Sequence, residues 1–338
     1  MKAKVSGTKK KINGTTFLLM ITILLFVVMY AAGMIVFNDK GFAKPQMFLN
    51  LFISNAGLLV IAMGETIVMI TAGIDISVGS VTALVCMVAA NQMENHGASA
   101  YTALLMALVI GLLFGLVQGF LVSYLEIQPF IVTLAGMFFG RGMTTIVHTD
   151  PFNVQNKAFV ALKDTRVIVP GMGSVNRIGK YVDAYVEIGV IVALLIVVLM
   201  FVMLRWSKLG RAFYAVGGNK QSALMLGINV KRTRFLAQLF SGVLAGIAGY
   251  VYFLHVGSGS ASHATGMEMN AIASSIIGGT LLTGGVGNII GTFFGVLSLS
   301  TIQNIVSSAG LDQAWWTGIT IAAMLCLFLV IQSIVMAR

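Results

Sequence analysis

The chain has 338 residues, 58% of them apolar and only 9% Asp, Glu, Lys or Arg, against roughly 25% charged residues in a soluble domain. So little charge cannot cover a water-facing surface, which excludes a soluble globular protein. A net charge of +10 raises the question of nucleic acid, and the placement of the basic residues answers it.

Residues 1–16 form a basic N-terminus with Lys2, Lys4, Lys9, Lys10 and Lys11. The stretch FLLMITILLFVVMYAAGMIVF over 17–37 carries no charge, and at about 1.5 Å per residue it crosses a hydrocarbon core of about 30 Å. A secretory signal would have an apolar stretch of only about 7 to 15 residues, and further spans follow, so an uncleaved helix is expected. Those spans are predicted over 47–70, 77–91, 100–124, 129–147, 184–204, 235–256, 268–282, 286–308 and 315–335. The fold class is an all-α polytopic membrane protein of about ten helices, some short or broken, with 17–338 as one transmembrane domain.

With the N-terminus cytoplasmic, 205–234 is cytoplasmic as well, and it holds Arg205, Lys208, Arg211, Lys220, Lys231, Arg232 and Arg234 with no acid. Lys and Arg accumulate in short cytoplasmic loops. The external loop 148–183 is mixed, with Asp150, Asp164 and Asp183 among its basic residues, and Arg338 returns to the inside. The positive charge is therefore topological, and membrane lipid rather than nucleic acid is the expected surrounding.

After the second span comes TAGIDISVGS, 71–80, with an acid between two apolar runs. Asp75 stands at the expected start of a helix, where a carboxylate can accept backbone N–H groups at the positive dipole end. A cap contributes about 1 kcal/mol, whereas an aspartate facing lipid at mid-depth costs about 2.5 to 3.5 kcal/mol. Asp75 should then face a cavity or the interface, either as a plain N-cap or as part of a pathway. TGGVGNIIGT, 283–292, echoes this stretch, with Thr283, Gly285 and Gly291 in the places of Thr71, Gly73 and Gly79, and Thr292 in that of Ser80. Both follow an inward helix and precede an outward one, as a repeat of helix pairs requires. The neighbouring helices 77–91 and 268–282 are too short to cross unaided, so the breaks must reach membrane depth, where irregular backbone is tolerated only inside protein or along a water-filled cavity.

Gly111, Gly115 and Gly119 recur on one helix face, as do Gly287, Gly291 and Gly295, with Gly242 and Gly246 as a third pair. Small residues at this spacing let helices approach closely, for packing within the chain or for a moving or dimerising seam. Glu65 and Arg141 are the clear ionisable residues inside spans; Glu65 can reach the nearby interface and Arg141 can snorkel outward. Asn55, Gln118, Thr133, Gln303 and Asn304 are polar candidates for a pathway or for interhelical hydrogen bonds. Cys86 and Cys326 sit in apolar runs, and His96, His148, His255 and His263 are scattered, so neither metal-ligand nor triad spacing occurs. No G-x-x-x-x-G-K-[ST] run is present, so the chain has no phosphate-binding loop of that type. A short helix is expected from an Asn219 cap through Leu226, closed by Gly227.

Four ordered motifs now carry a resemblance: TAGIDISVGS, TLAGMFFGRG (133–142), AVGGNKQSALMLGI (215–228) and AIASSIIGGTLLTGGVGNIIGTFFGV (271–296). Over nearly the whole chain after the first helix it resembles the permease subunits of bacterial ABC sugar importers of the ribose type. TLAGMFF with AWWTGI (314–319) is most similar to the galactofuranose-type subgroup. The resemblance implies a place in the bacterial inner membrane, a second permease subunit (the same chain or a relative), two ATPase subunits that use ATP and Mg, and an extracytoplasmic sugar-binding protein. It implies no cofactor or catalytic residue in this chain. Gly217, Gly218, Asn219, Ala223 and Gly227 would shape the ATPase contact. Glu65, Asp75, Ser77, Ser80, Gln118, Thr133, Thr283 and Asn288 would line or gate the path. Leu224 departs from the family pattern, in which many relatives carry Arg. The alternatives left open are a permease for a nucleoside or autoinducer, an ion-gradient-driven carrier, and an intramembrane enzyme using Glu65 or Asp75.

Overall fold

The computed structural model describes residues 14–175, 179–311 and 313–336; the basic residues 1–13 and Arg338 lie outside the described residues. The ten predicted spans correspond to α1 (Gly14–Val36), α2 (Pro45–Ile70), α3 (Val78–Asn95), α4 (Ala100–Ser123), α5 (Pro129–Val147), α7 (Ile188–Trp206), α10 (Val230–Val256), α11 (Met267–Ile277), α12 (Ile289–Ser308) and α13 (Ala314–Met336). Three shorter helices join them: α6 (Lys157–Lys163), α8 (Lys208–Gly218) and α9 (Lys220–Met225). Among the described residues eight helices are long and apolar enough to cross a membrane, and of the ten that match predicted spans α3 and α11 fall outside this set. These are the helices read as short in the sequence, although α3 runs on to Asn95 and α11 stops at Ile277. α11 stops there because the chain enters Gly278 and Gly279, the latter at φ 88°, a conformation open to glycine.

The segment 148–183 is more ordered than a loop. β1 (Phe152–Asn153) pairs antiparallel with β4 (Ser258–Gly259), and β2 (Arg166–Val175) with β3 (Tyr181–Glu187). The strand signal was present in the β-branched and aromatic residues Val167, Ile168, Tyr181, Val182, Tyr185 and Val186. At the other end of the bundle, 205–234 is largely helical. Ser207 Oγ accepts the Gly210 N–H at 2.9 Å to start α8, and Asn229 Oδ1 accepts the Arg232 N–H at 2.9 Å to start α10. Lys231, Arg232 and Arg234 thus belong to the first turns of α10 rather than to a loop.

α10 is the hub, packed against α4, α2 and α3. Its contact with α4 is the glycine seam. A Cβ at Gly111 would overlap the Gly242 carbonyl oxygen and lie 3.0 Å from the Gly246 Cα, while one at Gly242 would lie 2.6 Å from the Gly115 Cα. The second set is different: Gly291 and Gly295 press α12 onto α11, but Gly287 precedes α12 and meets Ile70. Because only backbone faces Gly111, Gly111→Ala is expected to destabilise the protein by about 1 to 3 kcal/mol. Gly142→Ala in α5, where nothing lies within 4 Å, should be neutral or slightly stabilising. Thermal unfolding of the two purified variants in detergent checks this contrast.

Candidate translocation site and coupling junction

α2 ends at Ile70, and the chain turns through Ala72 at φ 59° before running extended to α3. This segment carries Asp75 back into the bundle, where it is 1% exposed. Asp75 Oδ1 accepts the Ser77 N–H at 3.0 Å and the Ser77 hydroxyl at 2.6 Å. Its Oδ2 accepts Gln238 Nε2 at 2.7 Å and the Ser241 hydroxyl at 2.8 Å. Four donors suit a carboxylate, which only accepts. The expected cap therefore does not form: Ser77 holds the N-cap position of α3 without a side-chain cap bond, and Asp75 faces neither lipid nor open cavity. Donors from α10 and the turn itself outcompete the free N–H groups of the helix start.

The network continues through Gln118 of α4, whose Nε2 donates to Ser77 Oγ at 2.9 Å and whose Oε1 accepts Gln238 Nε2 at 3.1 Å. Glu65 of α2 is fully buried rather than at the interface; its Oε1 accepts the Asp75 N–H at 3.3 Å, and its Oε2 has no hydrogen-bond partner. Glu65 stands five residues before the end of α2, so the cluster lies about 8 Å into the bundle from that end. Thr133 of α5 bonds the carbonyls of Pro129 and Ile74, and Ser80 bonds the Ser77 carbonyl at 2.7 Å. Glu65, Asp75, Ser77, Ser80, Gln118 and Thr133 thus come together from four helices and the connection between α2 and α3. Gln238 and Ser241 were missed, and their three-residue spacing beside Gly242 was the available signal. An apolar groove of about 530 Å³ between α3, α4 and α5 ends on Gln118, its one polar lining side chain.

Farther from the α8–α9 end lies a second polar contact. Arg141 of α5 turns inward rather than snorkelling, and donates to the carbonyls of Ala261, His263 (2.6 Å) and Ala264 (3.0 Å). These carbonyls belong to the segment between β4 and α11, which has no regular ladder of its own. Glu268, in the first turn of α11, is 8% exposed beside Gly79, and a Cβ at Gly79 would overlap its carboxylate. Glu268 was not singled out in the sequence because it reads as the polar edge of a predicted span. Arg141→Met is expected to leave three carbonyls without their donor, at about 1 to 3 kcal/mol for each buried orphan. Amide exchange over 260–268 should accelerate in that variant, with Arg141→Lys intermediate.

The α11–α12 connection does not join the Asp75 cluster. Thr283 is exposed there, and Asn288 caps α12 by accepting the Ile290 N–H at 2.9 Å. The connection instead meets the end of α2 and the end of α8. The Gly285 N–H donates to the Ile70 carbonyl at 2.8 Å, and the Tyr214 hydroxyl donates to the Gly287 carbonyl at 2.9 Å. A Cβ at Gly217 would overlap the Ile70 carbonyl oxygen and sit 2.6 Å from the Gly285 nitrogen. Both chain breaks therefore touch one glycine of α8. The two echoing sequences occupy different depths because α2 and α4 run past Asp75 to the bundle end, whereas α11 starts deep and emerges there.

Beyond Gly218, Asn219 Oδ1 accepts the Ser222 N–H at 2.8 Å and starts α9, and Gly227 at φ 78° ends that turn. Ala223 is buried against Val216 and Val230. On the outside, Leu224, Met225 and Leu226 are 61%, 82% and 78% exposed, a concentrated apolar surface in a segment otherwise rich in Lys and Arg.

Comparison with known proteins accounts for this architecture. The family described as branched-chain amino acid transport system / permease component matches residues 47–329. The chain belongs to this permease family. It is 37% identical over 314 residues to the inner membrane ABC transporter permease protein YjfF of Escherichia coli, covering 93% of this chain and 91% of that one. It is 34% identical over 337 residues to the fructose import permease protein FruG of Bifidobacterium longum, covering 99% and 96%. The autoinducer 2 import system permease protein LsrC of Yersinia enterocolitica is 32% identical over 278 residues, covering 82% and 72%. No solved structure matches the chain. The protein is a multi-pass ABC importer permease of the inner membrane, and its deep polar cluster and its α8–α9 end are read as parts of a permease.

Proposed function

We propose that the chain is the membrane-spanning subunit of an ATP-driven importer of a monosaccharide, with the α8–α9 end in the cytoplasm and the β2–β3 hairpin outside. The observation that carries this reading is Gly217, which touches both chain breaks at the ends of α2 and α11. A push on α9 reaches the Asp75 segment through that contact. The exposed Leu224, Met225 and Leu226 are the surface offered to a partner ATPase, which uses ATP and Mg while this chain has no ATP site. Differential contact with two conformations is what couples such a push to the pathway.

The hairpin supports docking of an extracytoplasmic binding protein, since Ile168, Val175 and Tyr181 are more than half exposed on it. The groove that ends on Gln118 opens between α4 and α5, whose outer faces carry exposed Phe120, Phe138 and Phe139. A second permease, the same chain or a relative, covers it in the complete importer. The relatives supply substrate candidates: FruG is a fructose import permease and LsrC an autoinducer 2 import permease. Galactofuranose, ribose and fructose head the substrate panel, and autoinducer 2 is the non-sugar alternative.

The test is uptake of labelled sugars in cells with this gene present or deleted and with the ATPase intact or disabled. Loss of one sugar's uptake in either deletion supports the proposal and names the substrate. Uptake that needs this chain but survives loss of the ATPase would favour a gradient-driven carrier and remove the role given to α9.

A further inference from the structure

At the α8–α9 end lies a cavity of about 700 Å³ between the start of α1, the end of α7, α8 and the start of α12. Its lining combines apolar Leu19, Phe201 and Leu204 with Arg205, Arg211 and Trp206, of which Leu204 is buried and the two arginines and the tryptophan are exposed. Among the described residues no acidic side chain lines it. Among the described residues neither arginine forms an ion pair; Arg211 Nη1 donates to the Trp206 carbonyl at 3.3 Å, and the rest of its fork remains available. The start of α12 adds the positive end of a 20-residue helix through Asn288 and Ile289, which favours an anion.

We infer that this cavity binds the phosphate of an anionic phospholipid. Two arginines and a helix start match a phosphate, which guanidinium groups grip with paired hydrogen bonds. Lipid rather than a soluble phosphate is favoured by the apolar part of the lining and by the neighbours. Thr16 lies in the first turn of α1 and Trp206 ends α7, and in the most apolar 18 residues of those two helices only 22% and 33% are buried in the protein. Acyl chains therefore have access to Leu19, Phe201 and Leu204 from the bilayer, and an exposed tryptophan at the end of a span, as Trp206 is at 64%, suits the headgroup level. A cytoplasmic leaflet supplies such lipids to basic pockets between helices. The leaflet assignment rests on the orientation proposed above, whereas the chemistry of the cavity does not.

The experiment uses the full chain in nanodiscs of phosphatidylcholine alone or doped with phosphatidylglycerol, with thermal unfolding and native mass spectrometry as readouts. Phosphatidylglycerol should raise the melting temperature and remain bound. The Arg205→Ala, Arg211→Ala double variant should bind it at least about tenfold more weakly, at roughly 1 kcal/mol per basic residue. Equal stabilisation by pure phosphatidylcholine, or an unchanged response in the double variant, would overturn the inference. Saturation by inorganic phosphate would overturn the lipid assignment in favour of a soluble phosphate ligand, and displacement of bound lipid by the purified ATPase would make the arginines part of that interface instead. If the double variant does not fold, Thr16→Glu places an acid in the same cavity and should give the same loss. Lys208→Cys in a Cys326→Ser background reports orientation separately. Labelling of intact cells by an impermeant maleimide would reverse the leaflet and leave the lipid selectivity standing.

Discussion

Asp75→Ala is expected to destabilise the protein by about 3 to 5 kcal/mol, in line with breaking a buried charged network, and to abolish uptake. The substitution leaves the Ser77 N–H, the Ser241 hydroxyl and one of the two Gln238 Nε2 hydrogens without their acceptor, the other hydrogen keeping Gln118 Oε1, and burial keeps water from replacing it. Each orphaned donor costs about 1 to 3 kcal/mol unless it finds a new partner. Asp75→Asn should be milder, about 1 to 2 kcal/mol. Its oxygen can keep the Ser77 pair, and the Gln238 amide can turn over to accept from the new NH2. A double-mutant cycle between Asp75→Asn and Ser241→Ala should show coupling, because the two groups share one hydrogen bond. Thermal unfolding in detergent alongside uptake measures both effects. Wild-type melting of Asp75→Ala would remove the central place given to this carboxylate.

Gly217→Ala should eliminate ATP-driven uptake, whereas Gly218→Ala should leave most of it. The two glycines are adjacent, yet a methyl group at Gly217 would overlap backbone of Ile70 and approach Gly285, while at Gly218 its nearest neighbour is the Gly285 Cα at 4.0 Å. Neither neighbour of Gly217 is a flexible side chain, so relief must come from separating α8 from both breaks. Overpacking of this kind costs about 1 to 3 kcal/mol, and here it falls on the joint between α9 and the Asp75 segment. Gly217→Ala should still reach the membrane, since the spans themselves are untouched. Uptake and ATPase stimulation measured on the two variants decide the matter; equal uptake by both would dissolve the proposed junction.

The ten helices were legible because lipid demands long uncharged runs whose backbone groups bond within each segment. The exceptions follow the same logic. α8 and α10 start at Ser207 and Asn229, polar caps that a hydropathy reading passes over, and β2–β3 lay hidden in a segment judged by charge rather than by alternation. Glu65, Asp75 and Gln118 could be picked out as polar residues in apolar surroundings. Their partners Gln238 and Ser241 carried only the weaker signal of a shared helix face beside Gly242, which does not by itself tell a hydrogen-bonding serine from a packing one. Thr283 and Asn288 were grouped with Asp75 through a sequence echo, and the structure separates them.

By itself the sequence determined that the chain lives in a membrane, where its ten apolar helices run, where the chain breaks and that α9 starts at Asn219. These follow from local rules of hydrophobic length, caps and glycine conformations. Only the tertiary structure decided which breaks meet: that Asp75 is satisfied by α10 and Ser77, that Arg141 holds the segment before α11, and that Gly217 touches Ile70 and Gly285. Depth and contact across the bundle depend on how helices far apart in the chain pack, and the glycines that permit close approach specify no partner until the opposite backbone is in place.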